Sequence, residues 1–257
     1  MPKQIDQQRE TRLLELLSEK GEADIAVLSG ELGASEATIR RDLARLEKRR
    51  LVTRTRGGAR LSEPLSLVAR SLEGKKHEMR QEKERIARKA AEMVQPGMKI
   101  IVDSGSTTWL LAAHLKTKAP LHVVTTALTV IEELGSVEGV EIFAMGGQFN
   151  RRNMDFVGSA TVGAFAYLHV DLAFLASDCL IPGRGTFADT AEGANILKAM
   201  AQCADCVVIV ADHTKMNRRG LFLALDPSMI HCLIMDAGVG DDERLLLEQE
   251  PYQLVLV

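Results

Sequence analysis

The sequence predicts an α/β protein in two parts: a small, basic, helix-rich N-terminal domain and a larger domain built on a mainly parallel sheet. Three observations carry this. Apolar residues before position 50 recur at helical spacing and end in a glycine-centred hairpin pattern. Charge is segregated: residues 1–60 carry 13 Lys+Arg against 10 Asp+Glu, whereas the whole chain of 257 residues has a net charge of −3. From residue 99 onward, short apolar runs alternate with helical patterns, as parallel sheets with crossover helices require.

The elements follow in order. Residues 7–19 are expected to form a first amphipathic helix, with Leu13, Leu14, Leu16 and Leu17 on its apolar side and Gly21 ending it. Asp24 can cap a second helix through Leu32, which buries Ile25, Leu28 and Leu32. Gly33-Ala34 makes a tight turn into a third helix, opened by Ser35, whose hydroxyl can accept from an N–H two or three residues on. Ile39, Leu43 and Leu46 form its buried stripe. Thr38, Arg40 and Arg41 project elsewhere, where hydroxyls and guanidiniums can meet phosphates and base edges. Two helices about such a turn make a helix-turn-helix.

Residues 51–56 read as a strand, Gly57-Gly58 permits a hairpin, and Ala59-Arg60-Leu61 begins the return. A basic hairpin after a recognition helix is a wing. Arg54 and Arg56, two apart, are expected on one face, facing phosphates or a narrow minor groove. Residues 35–60 hold 9 basic and 3 acidic side chains, a footprint suited to double-stranded DNA. The other reading of that charge is a solvated helix face with its charges paired. The candidate DNA contacts are Ser35, Ala37, Thr38, Arg40, Arg41, Arg45, Arg54 and Arg56. The winged helix-turn-helix is assigned to residues 1–61, a linker to 62–80, and the α/β domain to 81–257.

The larger domain is expected to open with a helix over 81–95, ended by Pro96-Gly97. Strands are expected at Lys99–Asp103, Leu121–Thr125, Val140–Ala144, Asp171–Ala176, Cys206–Ala211, Ile230–Met235 and Tyr252–Leu256. Helices are expected from the glycine loop to about Lys116, over Leu128–Leu134, near 159–168 and over Glu192–Ala204. This is a Rossmann-like pattern, and such sheets bind ligands at the carboxyl ends of their strands.

Asp103-Ser104-Gly105-Ser106-Thr107-Thr108 follows a strand and opens a helix. Its small residues let backbone N–H groups curl toward an anion, with hydroxyls and the helix N-terminus adding donors. It lacks the lysine of a P-loop and the spacing of a dinucleotide fingerprint, so a nucleotide is not specifically implied; a plain capped turn is the other reading. Other strand ends carry Thr126, Gly147 leading to Arg151, Asp178, and Asp212 with Lys215, while Glu192 and Lys198 lie on one helix. Together they suit a polar, anionic ligand: Lys215 and Arg151 for a phosphate, and Asp103, Asp178 and Glu192 for sugar hydroxyls. Four cysteines include a C-x-x-C at Cys203 and Cys206, but no second ligand pair completes a zinc site, and Cys206 opens an apolar strand. No metal and no cofactor is expected. No apolar stretch approaches the roughly 18–20 residues that span a bilayer, and the N-terminus lacks a signal-peptide pattern, so a cytoplasmic protein is expected.

Thr38-Ile39-Arg40-Arg41-Asp42-Leu43, Leu46-Glu47 and Arg54-x-Arg56-Gly57-Gly58-Ala59 resemble the signature of the DeoR-type regulators, a bacterial family of sugar-metabolism repressors. The resemblance continues through Val102–Thr108, Gly146-Gly147, Gly158, Glu192–Lys198 and Ala211-Asp212-x-x-Lys215, covering essentially the whole chain. It implies an effector domain like the sugar-phosphate isomerases, and a repressor that leaves its operator when a phosphorylated sugar binds. By resemblance, Asp103–Thr108 and Lys215 would hold the phosphate, with Arg151, Asp178, Glu192 and Lys198 around the sugar. Cys179 and Met216 stand where the family often has glycine and phenylalanine, which alters the pocket's shape.

An alternative is a sugar-phosphate isomerase or deaminase with a DNA-binding module, with Asp178 or Glu192 as acid or base. His213 would be the one nearby histidine, read more simply as a surface-loop residue. Repression against activation stays open, as does the homo-oligomer, with a dimer the minimum expected and a tetramer compatible.

Overall fold

Leucines at helical spacing close the N-terminal core. In the computed structural model, which describes residues 9–10, 12–14, 16–17, 20, 22–48, 51–61, 72–76, 78–216, 218 and 220–257, the described residues between 9 and 20 are helical. Leu13, Leu16 and Leu17 from this stretch pack with Ile25 and Leu28 of helix α1 (Ile25–Leu32) and with Ile39, Leu43 and Leu46 of helix α2 (Glu36–Lys48). Two expectations are corrected here. Leu32 is only partly buried, and Asp24 stands at the α1 N-cap without a side-chain cap bond. Gly33 ends α1 in the left-handed conformation (φ 57°), which costs glycine nothing and turns the chain toward α2. Gly21, expected to end the first helix, lies outside the described residues.

Strand β1 (Glu22–Asp24) was not legible in the pattern. It pairs antiparallel with β3 (Gly58–Leu61), which pairs in turn with β2 (Val52–Arg54), so the hairpin is the larger part of a three-stranded sheet. The strand expected over 51–56 ends at Arg54, and strict alternation therefore does not reach Arg56. Residues 62–71 of the expected linker lie outside the described residues, whereas Leu72–Lys75 form a helical turn. The chain divides into two compact units, Met1–Glu78 and Met79–Val257.

The second unit is built on a seven-stranded sheet whose registers are all parallel. Its strands are β4 (Lys99–Val102), β5 (Leu121–Thr125), β6 (Val140–Ala144), β9 (Val170–Ala176), β12 (Ala204–Val210), β14 (Cys232–Met235) and β15 (Gln253–Leu256), in the order β15-β14-β12-β9-β4-β5-β6. Alternate residues of the central strands enter two separate cores, as a pleated sheet buried on both faces demands, while edge strand β6 packs only Val140 and Ile142 and exposes Phe143. Ile100, Val102, Leu172, Phe174, Val208 and Val210 pack with helices α3 (Arg80–Glu92), α4 (Ser106–Leu115) and α5 (Leu128–Leu134). Ile101, Ala173, Leu175, Val207 and Ile209 face α6 (Ser159–Phe165) and α7 (Ala191–Gln202).

The second face carries a surprise. Strands β10 (Cys179–Ile181), β11 (Gly185–Ala188) and β13 (Phe222–Leu225) form an antiparallel sheet, and Leu180, Ala188, Ala224 and Leu225 from it enter that core. A hairpin of β7 (Gln148–Asn150) and β8 (Asp155–Val157) and the helix α8 (Asp241–Leu247) are likewise additions to the sequence reading. All seven parallel strands present their carboxyl ends at one edge, which places Asp103, Thr126, Ser177, Asp212 and Asp236 there.

Candidate functional site

The first candidate surface lies on α2. The Ser35 hydroxyl accepts from the Thr38 N–H (3.3 Å) and bonds the Thr38 hydroxyl (2.9 Å), so the expected cap forms. Glu36 in the first turn and Arg45 and Lys48 in the last complement the helix dipole. Arg40 reaches Glu36 at 3.1 Å, but both are more than half exposed, and such a pair is worth little and exchanges readily. Arg41 donates to the Ala37 carbonyl (3.3 Å) and is exposed, as are Ala37, Arg54 and Arg56.

Arg45 sits differently. It donates to Glu10 (2.8 Å) and pairs with Asp42, and the Glu10 hydrogen bond is the chief reason its pKa is raised. Asp42 is 1% exposed and also accepts from Arg9 at 2.6 Å. This network ties the first helical segment to α2. Arg45, expected to face DNA, is thus also held by a buried carboxylate, Asp42. The available signal was spacing, since Asp42 falls on the buried face between Ile39 and Leu43.

The second candidate site is the carboxyl edge of the parallel sheet. Asp103 accepts from the Ala176 N–H (3.1 Å), which locks the loop after β4 to the end of β9. Gly105 is required by proximity: a Cβ there would lie 2.9 Å from the Ala176 Cβ and 3.1 Å from the Thr108 hydroxyl. Ser106, Thr107 and Thr108 are buried in the first turn of α4, which has no side-chain cap, so its leading N–H groups keep their donor capacity. Thr126 is buried beside Thr125, whose hydroxyl donates to the Val102 carbonyl (2.6 Å).

Burial pushes the Asp103 carboxyl up to about 7, and the like charges of Asp155 and Asp178 add to the rise. Asp155, which sequence reading did not single out, is 6% exposed and accepts from the Ser104 hydroxyl at 2.6 Å. Burial raises its pKa as well, with the Ser104 hydroxyl and the Asn150 amide offsetting part of the rise.

Two strands across, Lys215 (7% exposed) stands 3.8 Å from Asp212, and Lys83 from α3 (1% exposed) stands 3.9 Å from the same oxygen. Burial alone would raise the Asp212 pKa; Lys215, the Thr214 hydroxyl and Lys83 outweigh it and hold the carboxylate ionised. Lys83 was not foreseen, because its partner lies far along the chain. His213 is no loose surface residue: its Nδ1 bonds Asp236 at 2.6 Å, and its backbone N–H donates to the same carboxylate at 2.7 Å.

The structure thus brings Asp103, Ser104, Gly105 and Asp178 together with Asp155, and places Lys215 with Asp212 and Lys83. Arg151 is exposed between β7 and β8, Gly147 lies in the exposed link to β7, and Glu192 is exposed and Lys198 partly buried on α7. None of Arg151, Glu192 and Lys198 makes a hydrogen bond or ion pair to the others named. The Cys206 thiol is pushed up by burial, and Cys203 likewise, so both are held protonated.

A recognition helix with a basic wing, joined in one chain to a sheet edge furnished for a polar ligand, defines a DNA-binding regulator with a sensor domain. Comparison with known proteins fixes the family. The DeoR-like helix-turn-helix domain matches residues 9–64 and the DeoR C-terminal sensor domain matches residues 78–237. The chain belongs to the DeoR family of transcriptional regulators. It is 32% identical to the HTH-type transcriptional regulator GlpR of Haloferax volcanii, over 96% of this chain and 96% of that one. It is 29% identical to the glycerol-3-phosphate regulon repressor of Escherichia coli K12, over 97% of this chain and 98% of the relative. Among solved structures, ribose 5-phosphate isomerase A of Methanocaldococcus jannaschii aligns over 52% of this chain and 53% of its own, at 17% identity and a TM-score of 0.39. Among the described residues, no helix is long and apolar enough to cross a membrane.

Proposed function

We propose that this regulator is a repressor of a carbohydrate catabolic operon, that it acts in the cytoplasm, and that a phosphorylated sugar or related metabolite releases it from operator DNA. The observation carrying this reading is the pairing of two buried lysines, Lys83 and Lys215, with the single carboxylate Asp212 at the sheet edge. Asp212 also accepts from the Thr214 N–H and hydroxyl, which fixes the carboxylate between the two lysines. The end of β12 lies two strands from the end of β4, about 10 Å at ordinary strand spacing. A sugar phosphate spans that distance, reaching both the lysines and the donors that open α4.

In this reading Asp103, Ser104, Gly105, Ser106, Thr107, Thr108, Thr126, Gly147, Arg151, Asp178, Glu192, Lys198 and Lys215 line the effector site. Ser35, Ala37, Thr38, Arg40, Arg41, Arg54 and Arg56 face DNA, with Arg45 shared between DNA and the Glu10–Asp42 network. The protein performs no catalysis, and a homodimer or homotetramer matches repeated half-sites. The test is operator release against concentration of a panel of sugar phosphates. Wild-type protein is released, and Lys215→Ala protein binds operator normally but is not released. Equal release of the two removes Lys215 from the site.

A further inference from the structure

The outer strand of the antiparallel sheet is apolar and open. In the order β10-β11-β13, strand β13 pairs with β11 through one edge, and among the described residues no strand pairs with its other edge. Leu221, just before the strand, is 76% exposed, and Phe222 and Leu223 are 37% and 39% exposed. Ala224 and Leu225 are buried and anchor the far end of the strand in the core. The run Leu221–Leu225 holds no charge and no proline. Free strand edges are commonly blunted by charge, proline or a bulge, because an open apolar edge is a template for another strand. The register shift of β13 lies between Leu223 and Leu225, toward the buried end, and does not shield the exposed half. By contrast β6, a free edge of the parallel sheet, carries Glu141 within it.

The charges that flank this run define what fits it. Arg218 precedes the strand and Asp226 follows it, and both are exposed. Arg218 donates to the Thr214 carbonyl (2.8 Å) and Asp226 accepts from the Ser228 N–H (3.0 Å); neither is in an ion pair among the described residues. A matching strand is apolar in its middle, acidic beside the Arg218 end and basic beside the Asp226 end. The same strand reversed meets that description. A second copy running antiparallel sets the exposed leucines and phenylalanine against their equivalents and brings each Arg218 end to the other copy's Asp226 end. A parallel copy would set like charges together at both ends. Antiparallel self-pairing is also what a two-fold axis produces, and it closes at two copies instead of growing into a fibre.

We propose that β13 is a surface through which two copies of this chain associate, antiparallel about a two-fold axis. Leu221, Phe222 and Leu223 form its centre, and Arg218 meets Asp226 of the partner subunit at each end. This rests on the homo-oligomer reading above and deepens it by giving the oligomer a surface. The apolar centre supplies the driving force, and the end charges select the antiparallel direction.

The experiment is sedimentation velocity of the full-length protein over a concentration series. It compares wild type with Leu221→Lys, Arg218→Asp, Asp226→Arg and the double variant Arg218→Asp/Asp226→Arg. Wild type self-associates. Leu221→Lys puts a charge into the apolar centre from both sides and raises the dissociation constant of one association step at least about tenfold. Each single swap sets like charges at both ends and weakens the same step, and the double variant, with opposite charges facing again, returns to within about threefold of wild type. If Leu221→Lys does not fold by circular dichroism, the swap series decides. Wild type that sediments as a monomer at its highest soluble concentration overturns this surface and the homo-oligomer reading together. An oligomer left unchanged by Leu221→Lys or by the single swaps, or weakening that the double swap does not repair, overturns this surface alone.

Discussion

Asp103→Asn isolates the cost of burying a carboxylate at the sensor edge. Asparagine keeps an oxygen to accept from the Ala176 N–H and cannot ionise. In wild-type protein burial, reinforced by Asp155 and Asp178, holds the Asp103 carboxyl at about 7, against an ordinary value of 3.8. The folded-state pKa is the raised one. The stability this group contributes is therefore fully present below pH 4 and is lost as pH rises to and through 7. Over the whole window the loss is about 4 kcal/mol, at roughly 1.4 kcal/mol per pKa unit. Between pH 6 and pH 8 the same relation gives a fall of about 1.4 kcal/mol, because above pH 7 both states are ionised. Urea unfolding followed by circular dichroism at pH 6, 7 and 8 reads this directly. The stability of Asp103→Asn relative to wild type should improve by about 1.4 kcal/mol from pH 6 to pH 8. Parallel pH profiles for the two proteins would refute the argument, since they would mean that Asp103 ionises alike in both states.

Three other outcomes are expected. Gly105→Ala forces its Cβ to within 2.9 Å of the Ala176 Cβ, so the loop must move; effector affinity falls about tenfold or more while operator affinity is kept, as read by calorimetry and fluorescence anisotropy. Asp42→Ala removes the buried partner of Arg9 and Arg45 and destabilises the N-terminal unit by about 2 kcal/mol, discounted because Arg45 is 43% exposed; thermal unfolding of that unit unchanged within 0.5 kcal/mol or so would contradict it. Arg54→Ala and Arg56→Ala each weaken operator binding and lower the slope of log affinity against log salt by about one; an unchanged slope takes that arginine off the phosphates.

Local pattern carried the backbone of both units. The spacing of Ile39, Leu43 and Leu46 located α2, and runs such as Ile100-Ile101-Val102 and Val207-Val208-Ile209-Val210 located strands buried on both faces. Such signals are legible because helix and strand periods act within a few residues. The antiparallel sheet of β10, β11 and β13 escaped because the pairing of β13 with β11 spans more than thirty residues. The site divides the same way. The small residues of Asp103–Thr108 announce a strand-to-helix anion loop. Asp155 and Lys83 do not announce themselves, because their partners Ser104 and Asp212 lie far along the chain, whereas the helical spacing of Asp42 marks its buried face but not its partner Arg9. In the linear pattern each reads as one more charged residue beside apolar neighbours. The tie between Arg45 and Glu10 was hidden for the same reason, since Glu10 lies 35 residues away.

The most direct test of the account is fluorescence anisotropy of labelled operator DNA with the full-length protein, titrated with sugar phosphates and with the same sugars lacking phosphate. The account predicts release by one or more phosphorylated compounds only, with Lys215→Ala protein staying bound at the same concentrations. Release by unphosphorylated sugars at equal potency, or release of the Lys215→Ala protein alongside wild type, would contradict it.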